Sequence, residues 1–325
     1  MALKVDAGAM RARVAGRADD LRPAGSAPED ERIRWWRLLP SLSIHAGCLG
    51  VIWVGWSAAA VGVAVALYFI RMFAITAFYH RYFSHRTFRT SRAVHTIAAA
   101  VGASSAQRGP MWWAAHHRAH HRESDNPEDI HSPKHKGIVW SHMGWFFSDG
   151  AVKTDAKAIP DLMKYPELRW IDRWHVVFPV GLAVMLWFVG EGLAAWRPGL
   201  GTSGWQMVVW GFFISTTALH HATFTINSLA HTIGRRRYET SDDSRNNLFL
   251  ALLTLGEGWH NNHHFNPGST RQGFMWWEID PAYYGVLLLK RLGLVWDVRP
   301  AGERVYDRSR WIGGTKGAGE AQRES

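Results

Sequence analysis

The sequence predicts an all-α integral membrane protein, with four transmembrane helices in two hairpins under a helical cytosolic cap. Three observations lead there. Residues Leu38 to Ile70 contain no Asp, Glu, Lys or Arg, a run long enough for more than one bilayer crossing at about 20 residues each. The chain holds 19 Trp, a residue favoured at the membrane–water interface, where its ring is buried and its N–H stays hydrated. It also holds 18 His, with clusters at the ends of the apolar runs. A hydrophobic content of 47% with a mean hydropathy of −0.16 fits a membrane anchor carrying a sizeable water-facing part.

Composition narrows the chemistry. The single cysteine, Cys48, excludes an internal disulfide framework and any Cys-ligated zinc or iron–sulfur site, so metal chemistry must use nitrogen and oxygen ligands. The net charge of +10 is concentrated in the first forty residues and beside apolar runs. That placement suits the positive-inside rule and anionic lipid heads, and no recognition motif accompanies it, so no nucleic-acid partner is expected.

Along the chain, residues 1–31 lack periodicity and the apolar core of a signal peptide, and read as a disordered cytoplasmic tail. Residues 32–312 read as one membrane domain. Its first hairpin joins a helix near 41–57 to one near 59–79 through a turn at Gly55–Ser57. Arg71 falls inside the second helix and must face the protein or snorkel. A second hairpin, near 174–195 and 205–226, is split by the Pro/Gly-rich loop Arg197–Gly204. Residues 80–173 and 227–312 then form the cap, and 313–325 a second disordered tail. Four spans place both termini, the cap and the flanks Arg32, Arg34, Arg37, Arg81, Arg86, Arg89, Arg92 and Arg235–Arg237 on one side, the cytoplasmic one.

The histidines form a pattern. The clusters are His80 with His85; His116, His117, His120 and His121; His260, His263 and His264; and Asn227 with His231, which closes the last span. Residues three and four apart share a helix face, so His117, His120 and His121 can converge, as can His260, His263 and His264. His80 and His85 are five apart, so the helix is expected to unwind or bulge there. A lone histidine on an apolar face is ordinarily a satisfied core residue. Leaving nine of them buried and unpaired on one membrane side would be costly. A zinc site takes three or four ligands. Nine imidazole nitrogens can hold two metals with room for oxygen, and two redox-active irons fit best, with copper and manganese left open by ligand count.

With these motifs in view, the chain resembles the membrane fatty acyl desaturases, and within them the stearoyl-CoA (delta-9) branch in bacterial form. The resemblance runs from Trp35 to Trp296 and rests on the three histidine boxes, HRYFSHRTF at His80–Phe88, SHMGW at Ser141–Trp145, and GEGWHNNHHFNP from Gly256. It implies a di-iron centre at the junction of spans and cap, in the bacterial inner membrane. By position, one iron would take His80, His85, His117, His121 and His264. The other would take His120, His231, His260 and His263, with Asn227 reaching it through water. His116 is left outside the ligand set. The implied reaction uses O2 as co-substrate to remove two hydrogens from adjacent methylenes and leave a cis double bond, expected at position nine.

Unactivated C–H bonds differ little along an acyl chain, so regioselectivity needs a tunnel that measures distance from the head group. The resemblance places Gln107, Trp113 and Thr223 at the tunnel's bend, where Phe224 stands in place of the usual Trp. Tyr68 and Met72, one turn apart, are expected at its far end, and Met72 in place of a smaller residue predicts a preference for chains shorter than stearoyl. Two departures concern the head group. Ala115-His116 and the segment Ser148-Asp149-Gly150 stand where relatives place residues that contact coenzyme A. Acyl-CoA is the first expected carrier and an acyl chain on a membrane lipid the alternative. No His-Pro-Gly-Gly haem segment occurs, so electrons are expected from a separate ferredoxin, flavoprotein reductase or cytochrome. The rival readings are a hydroxylase using the same oxidant and, outside enzymes, a membrane metal-binding protein.

Overall fold

A computed structural model describes residues 31–313, so the two expected tails lie outside the described residues except for their innermost positions. Helix α1 (Trp35–Val54) is followed across a short turn by helix α2 (Ala58–Ser84). The turn between them depends on Gly55, whose φ of 63° is left-handed and open to glycine at no steric cost. Ser57 caps α2 by accepting from Ala60 N–H at 3.1 Å and donates to Gln206 Oε1 at 2.6 Å, while the Gln206 amide donates to Val54 O at 2.9 Å. One polar side chain from a distant helix therefore satisfies the turn's exposed groups.

The cap begins with α3 (Arg92–Ala103), α4 (Pro110–Glu123), the short α5 (Ile138–His142) and α6 (Pro166–Arg173). Helix α7 (Val177–Trp196) returns to the apolar layer and is followed by a continuous helical run, α8, over residues 204–231. The remaining cap contains α9 (Leu248–Leu253), α10 (His260–Phe265) and α11 (Pro281–Arg291). A two-stranded antiparallel ribbon, β1 (Arg89–Thr90) with β2 (Val295–Trp296), ties the exit of α2 to the end of the cap.

By length and composition, three helices can cross a membrane: Trp35–Val54, Ala58–Ser84 and Val177–Trp196. The fourth expected span, α8, is helical throughout but falls short of that composition because it carries Ser215, Thr216, Thr217, His220, His221 and Thr223. The reason is its position. It packs against α1, α2 and α7 together, so much of its surface meets protein and needs no lipid-compatible side chain. Arg71 is explained by the same packing. It is buried and faces the protein, donating to Thr216 Oγ1 at 2.8 Å, Ser215 Oγ at 2.7 Å, Ser104 O at 3.3 Å and Leu67 O at 3.2 Å.

The segment Ala74–Ser84 of α2 is a π-helix. Its wider winding closes hydrogen bonds five residues apart, including His85 N–H to His80 O at 3.3 Å. This is the bulge expected between His80 and His85. Its aromatic face, Phe78, Tyr79, Tyr82 and Phe83, is buried against the small residues Ala98, Ala99 and Ala103 of α3 and Ala114 and Ala115 of α4. Gly102 completes that face, and a Cβ there would lie 2.2 Å from Tyr79 Cε1. Gly102→Val is therefore expected to destabilise the protein by about 1–3 kcal/mol or more through overpacking. Gly62→Ala, where nothing lies within 4 Å, should leave the thermal unfolding midpoint in detergent unchanged or raised.

Candidate metal centre

Helices α4 and α10 and the ends of α2 and α8 bring nine histidines together as two groups. In the first, one ring nitrogen each of His80, His85, His117, His121 and His263 lie within 4.8 Å of one another. Adjacent Nε2 atoms are close: His85 to His117 2.8 Å, His117 to His121 3.0 Å, His121 to His263 2.9 Å, and His263 to His80 2.9 Å. The second group is His120, His231, His260 and His264, again within 4.8 Å, with His231 Nε2 3.0 Å from His260 Nε2.

This geometry corrects the expected grouping, because His263 and His264 exchange places. The physical reason is helix winding. At 3.6 residues per turn, residues four apart are offset by only about 40°, whereas neighbours are offset by about 100°. On α4, His117 and His121 share one group and His120 turns to the other. On α10, His260 and His264 share one group and His263 turns to the other. Asn227 lies outside both groups but lines the adjoining cavity. His116 also lies outside them and meets Lys153 O at 2.9 Å.

Behind the rings stands a shell of carboxylates to which the sequence reading gave no role. His231 Nδ1 donates to Asp125 at 2.7 Å, His120 Nδ1 to Asp129 at 3.0 Å, and His264 Nδ1 to Asp242 at 2.7 Å. Glu257 holds His80 Nδ1 and also meets the buried Arg81, which is paired with Asp280 at 2.9 Å. The available signals were Asp125 and Asp129, four apart just after the second box, and the Glu of the GEGWH segment. An ionised carboxylate only accepts, so each pair fixes the proton on Nδ1 and leaves Nε2 as a lone pair aimed inward. Against the effect of burial, the facing histidines keep Asp125, Asp129 and Asp242 well below the usual carboxylate range.

The arrangement fits metal ions better than it fits an ordinary polar core. In the second group, three rings turn Nδ1 outward to a carboxylate, and His264 Nε2 is buried with no partner among the described residues. Burial, reinforced by the neighbouring rings, pushes His85, His117, His121, His260 and His263 well below the ordinary histidine value. Neutral imidazoles with converging lone pairs are the form a cation takes as ligands.

A cavity reaches this centre. Its inner part is lined by Met72, Thr76, His80, Trp113, Thr223 and Asn227, and the next part by Gln107, Trp112, Trp113, Thr223 and Phe224, among others. Gln107 donates to Thr223 Oγ1 at 3.1 Å across the chamber, and Trp113 stacks on His117 with ring centroids 5.0 Å apart. Met72 therefore faces the cavity, whereas Tyr68 packs behind it and donates to Leu253 O at 2.7 Å.

Comparison with known proteins adds a separate line. The profile of the family described as fatty acid desaturase matches residues 54–288. The chain is 35% identical to an sn-1 stearoyl-lipid 9-desaturase of Anabaena variabilis, over 84% of this chain and 96% of that protein. It is 32% identical to an sn-2 palmitoyl-lipid 9-desaturase of a Nostoc species, over 83% of this chain and 90% of that one. An acyl-CoA 5-desaturase of Anemone leveillei is 33% identical, over 87% of this chain and 89% of that one.

Proposed function

Because the chain belongs to the fatty acid desaturase family, an oxidoreductase family, we propose that it inserts a cis double bond at position nine of a saturated acyl chain carried on a membrane lipid, through two irons held by the two histidine groups. The observation that carries this reading is the pair of converging, carboxylate-backed histidine groups at the end of a cavity. The irons would supply the oxidation of unactivated C–H bonds by O2. In balance, two adjacent methylenes lose one hydrogen each, and O2 leaves as two waters after taking two electrons and two protons from outside. A separate electron donor, a ferredoxin, flavoprotein reductase or cytochrome, supplies the electrons.

The chain's own residues do the positioning. Trp113 and the Gln107–Thr223 pair set the bend that presents one pair of methylenes to the histidine groups. Met72, buried against Leu219 and Ala222, closes the inner wall. Met72→Ala is expected to lengthen the accepted chain by about one or two carbons, read from fatty acid chain-length profiles. An unchanged profile would remove Met72 from the tunnel end. The lipid carrier is supported by the names of the cyanobacterial relatives, and acyl-CoA is the second reading, supported by the Anemone relative. We read the fold as four spans, with α8 as the fourth, and both termini and the histidine groups on the cytoplasmic side of a bacterial inner membrane.

Expression in a host lacking its own desaturase, beside a His120→Ala control, tests the reaction. A new cis-monoene found only with the intact chain, located by mass spectrometry and resolved by lipid class, is the expected result. A hydroxy acid would move the assignment to oxygen insertion, and product confined to acyl-CoA would move the carrier.

A further inference from the structure

A wide cleft of about 430 Å³ lies outside the inner cavity and shares Gln107, Trp112, Phe146 and Phe224 with it. Its walls include Pro40 and Ser41 of α1, Pro179 and Val180 of α7, and Phe212 of α8. The rim residues Trp36, Val176 and Val180 are more than half exposed, so the mouth lies between two helices apolar enough to cross the bilayer. A chain entering there comes sideways from the lipid.

One cation at this cleft has no assigned task. Arg108 lies over the Trp112 ring at 5.1 Å, and among the described residues it has neither a hydrogen-bond nor an ion-pair partner. Its backbone is left-handed, with φ 65°, a conformation that a long side chain rarely adopts. Such strain persists where the surroundings hold it, and it places this guanidinium at the cleft. The acid nearest in effect, Asp172, spends Oδ1 on the N–H groups of Met111 and Trp112. Arg37, the other arginine of the cleft, is already bonded to Asp149 at 2.8 Å and to Ser148 O at 2.6 Å. Arg108 is thus, among the described residues, the arginine of this cleft without an anionic partner, a setting that suits one phosphate on an acyl-bearing molecule.

We propose that Arg108 anchors the phosphate of an anionic membrane glycerophospholipid whose acyl chain passes through this cleft to the histidine groups. The inference rests on the lipid reading of the site and names the lipid class. Coenzyme A fits less well, because its several phosphates would approach a mouth set between bilayer helices, near which Asp149 already occupies Arg34 and Arg37.

The test is retention of lipid by the purified full chain, measured by native mass spectrometry in detergent with equal phosphatidylglycerol and monogalactosyldiacylglycerol, a lipid without phosphate, of the same acyl chains. The intact protein should retain phosphatidylglycerol about tenfold over the phosphate-free galactolipid, the scale of one charge-assisted contact. Arg108→Gln and Arg108→Gly, the second of which also relieves the strained backbone, should bring that ratio to about one, and Arg108→Lys should keep most of it. Equal ratios in all four proteins would overturn the proposal. So would a result in which the Gln variant loses added stearoyl-CoA and keeps its lipid preference. If the preference is present but no double bond forms on any lipid with donor and O2 supplied, the lipid anchor stands and the desaturase reading fails.

Discussion

Replacing His85 and His264 together with Ala is expected to leave the protein with almost no bound iron, while replacing His85 and His263 together should leave about one iron per chain. The first pair removes one ring from each group. The second removes two rings from the same group and leaves His120, His231, His260 and His264 untouched. Either double variant should lose desaturation, because loss of one metal already removes the reaction. Losing a partner behind a ligand costs about 10–100-fold in metal affinity, and losing the ligand itself should cost more. Iron counted by mass spectrometry on the purified chains gives the result without relying on turnover. The reverse pattern, one iron for the first double variant and none for the second, would restore the grouping that the family resemblance suggested.

The second large effect should come from residues that touch no metal. Asp242→Asn is expected to lower iron affinity by about 10–100-fold, because His264 then loses the acceptor that fixes its proton on Nδ1. An amide can turn its N–H2 toward the ring and place the proton on Nε2, the atom that must stay bare. Asp125→Asn should act the same way through His231. Asp161→Asn is the control. Asp161 pairs with Arg86 at 2.7 Å and Arg118 at 2.7 Å, and it should affect stability but not metal affinity. Iron titration under anaerobic conditions distinguishes these. Equal affinities for Asp242→Asn and the parent would mean that the carboxylates serve packing alone.

Much of this was legible in the residues. The uncharged run from Leu38 to Ile70 foretold two consecutive helices long and apolar enough to cross a membrane, since a bilayer admits only satisfied backbone and apolar side chains. The five-residue interval between His80 and His85 foretold a break in α-helical winding, and a π-helix supplies it. The spacing of the second and third boxes foretold the pairs four apart that share a group, His117 with His121 and His260 with His264, but not that His120 and His263 turn away from their neighbours to the other group. The helix expected near 205–226 is present as α8, but its polar residues leave it outside the three helices apolar enough to cross a membrane, and three other helices pack on it.

Local order along the chain thus dictates whatever depends on neighbours within one turn: which segments are apolar, which histidines share a helix face, and where the winding must change. The tertiary structure alone decided how the faces of separate helices meet. It sends His121 and His263 to one group and His120 and His264 to the other, sets Asp125, Asp129 and Asp242 behind their rings, and places Arg108 at the cleft with no acidic partner among the described residues. Consecutive residues on a helix point about 100° apart, and only the packing of distant segments decides what stands in each direction.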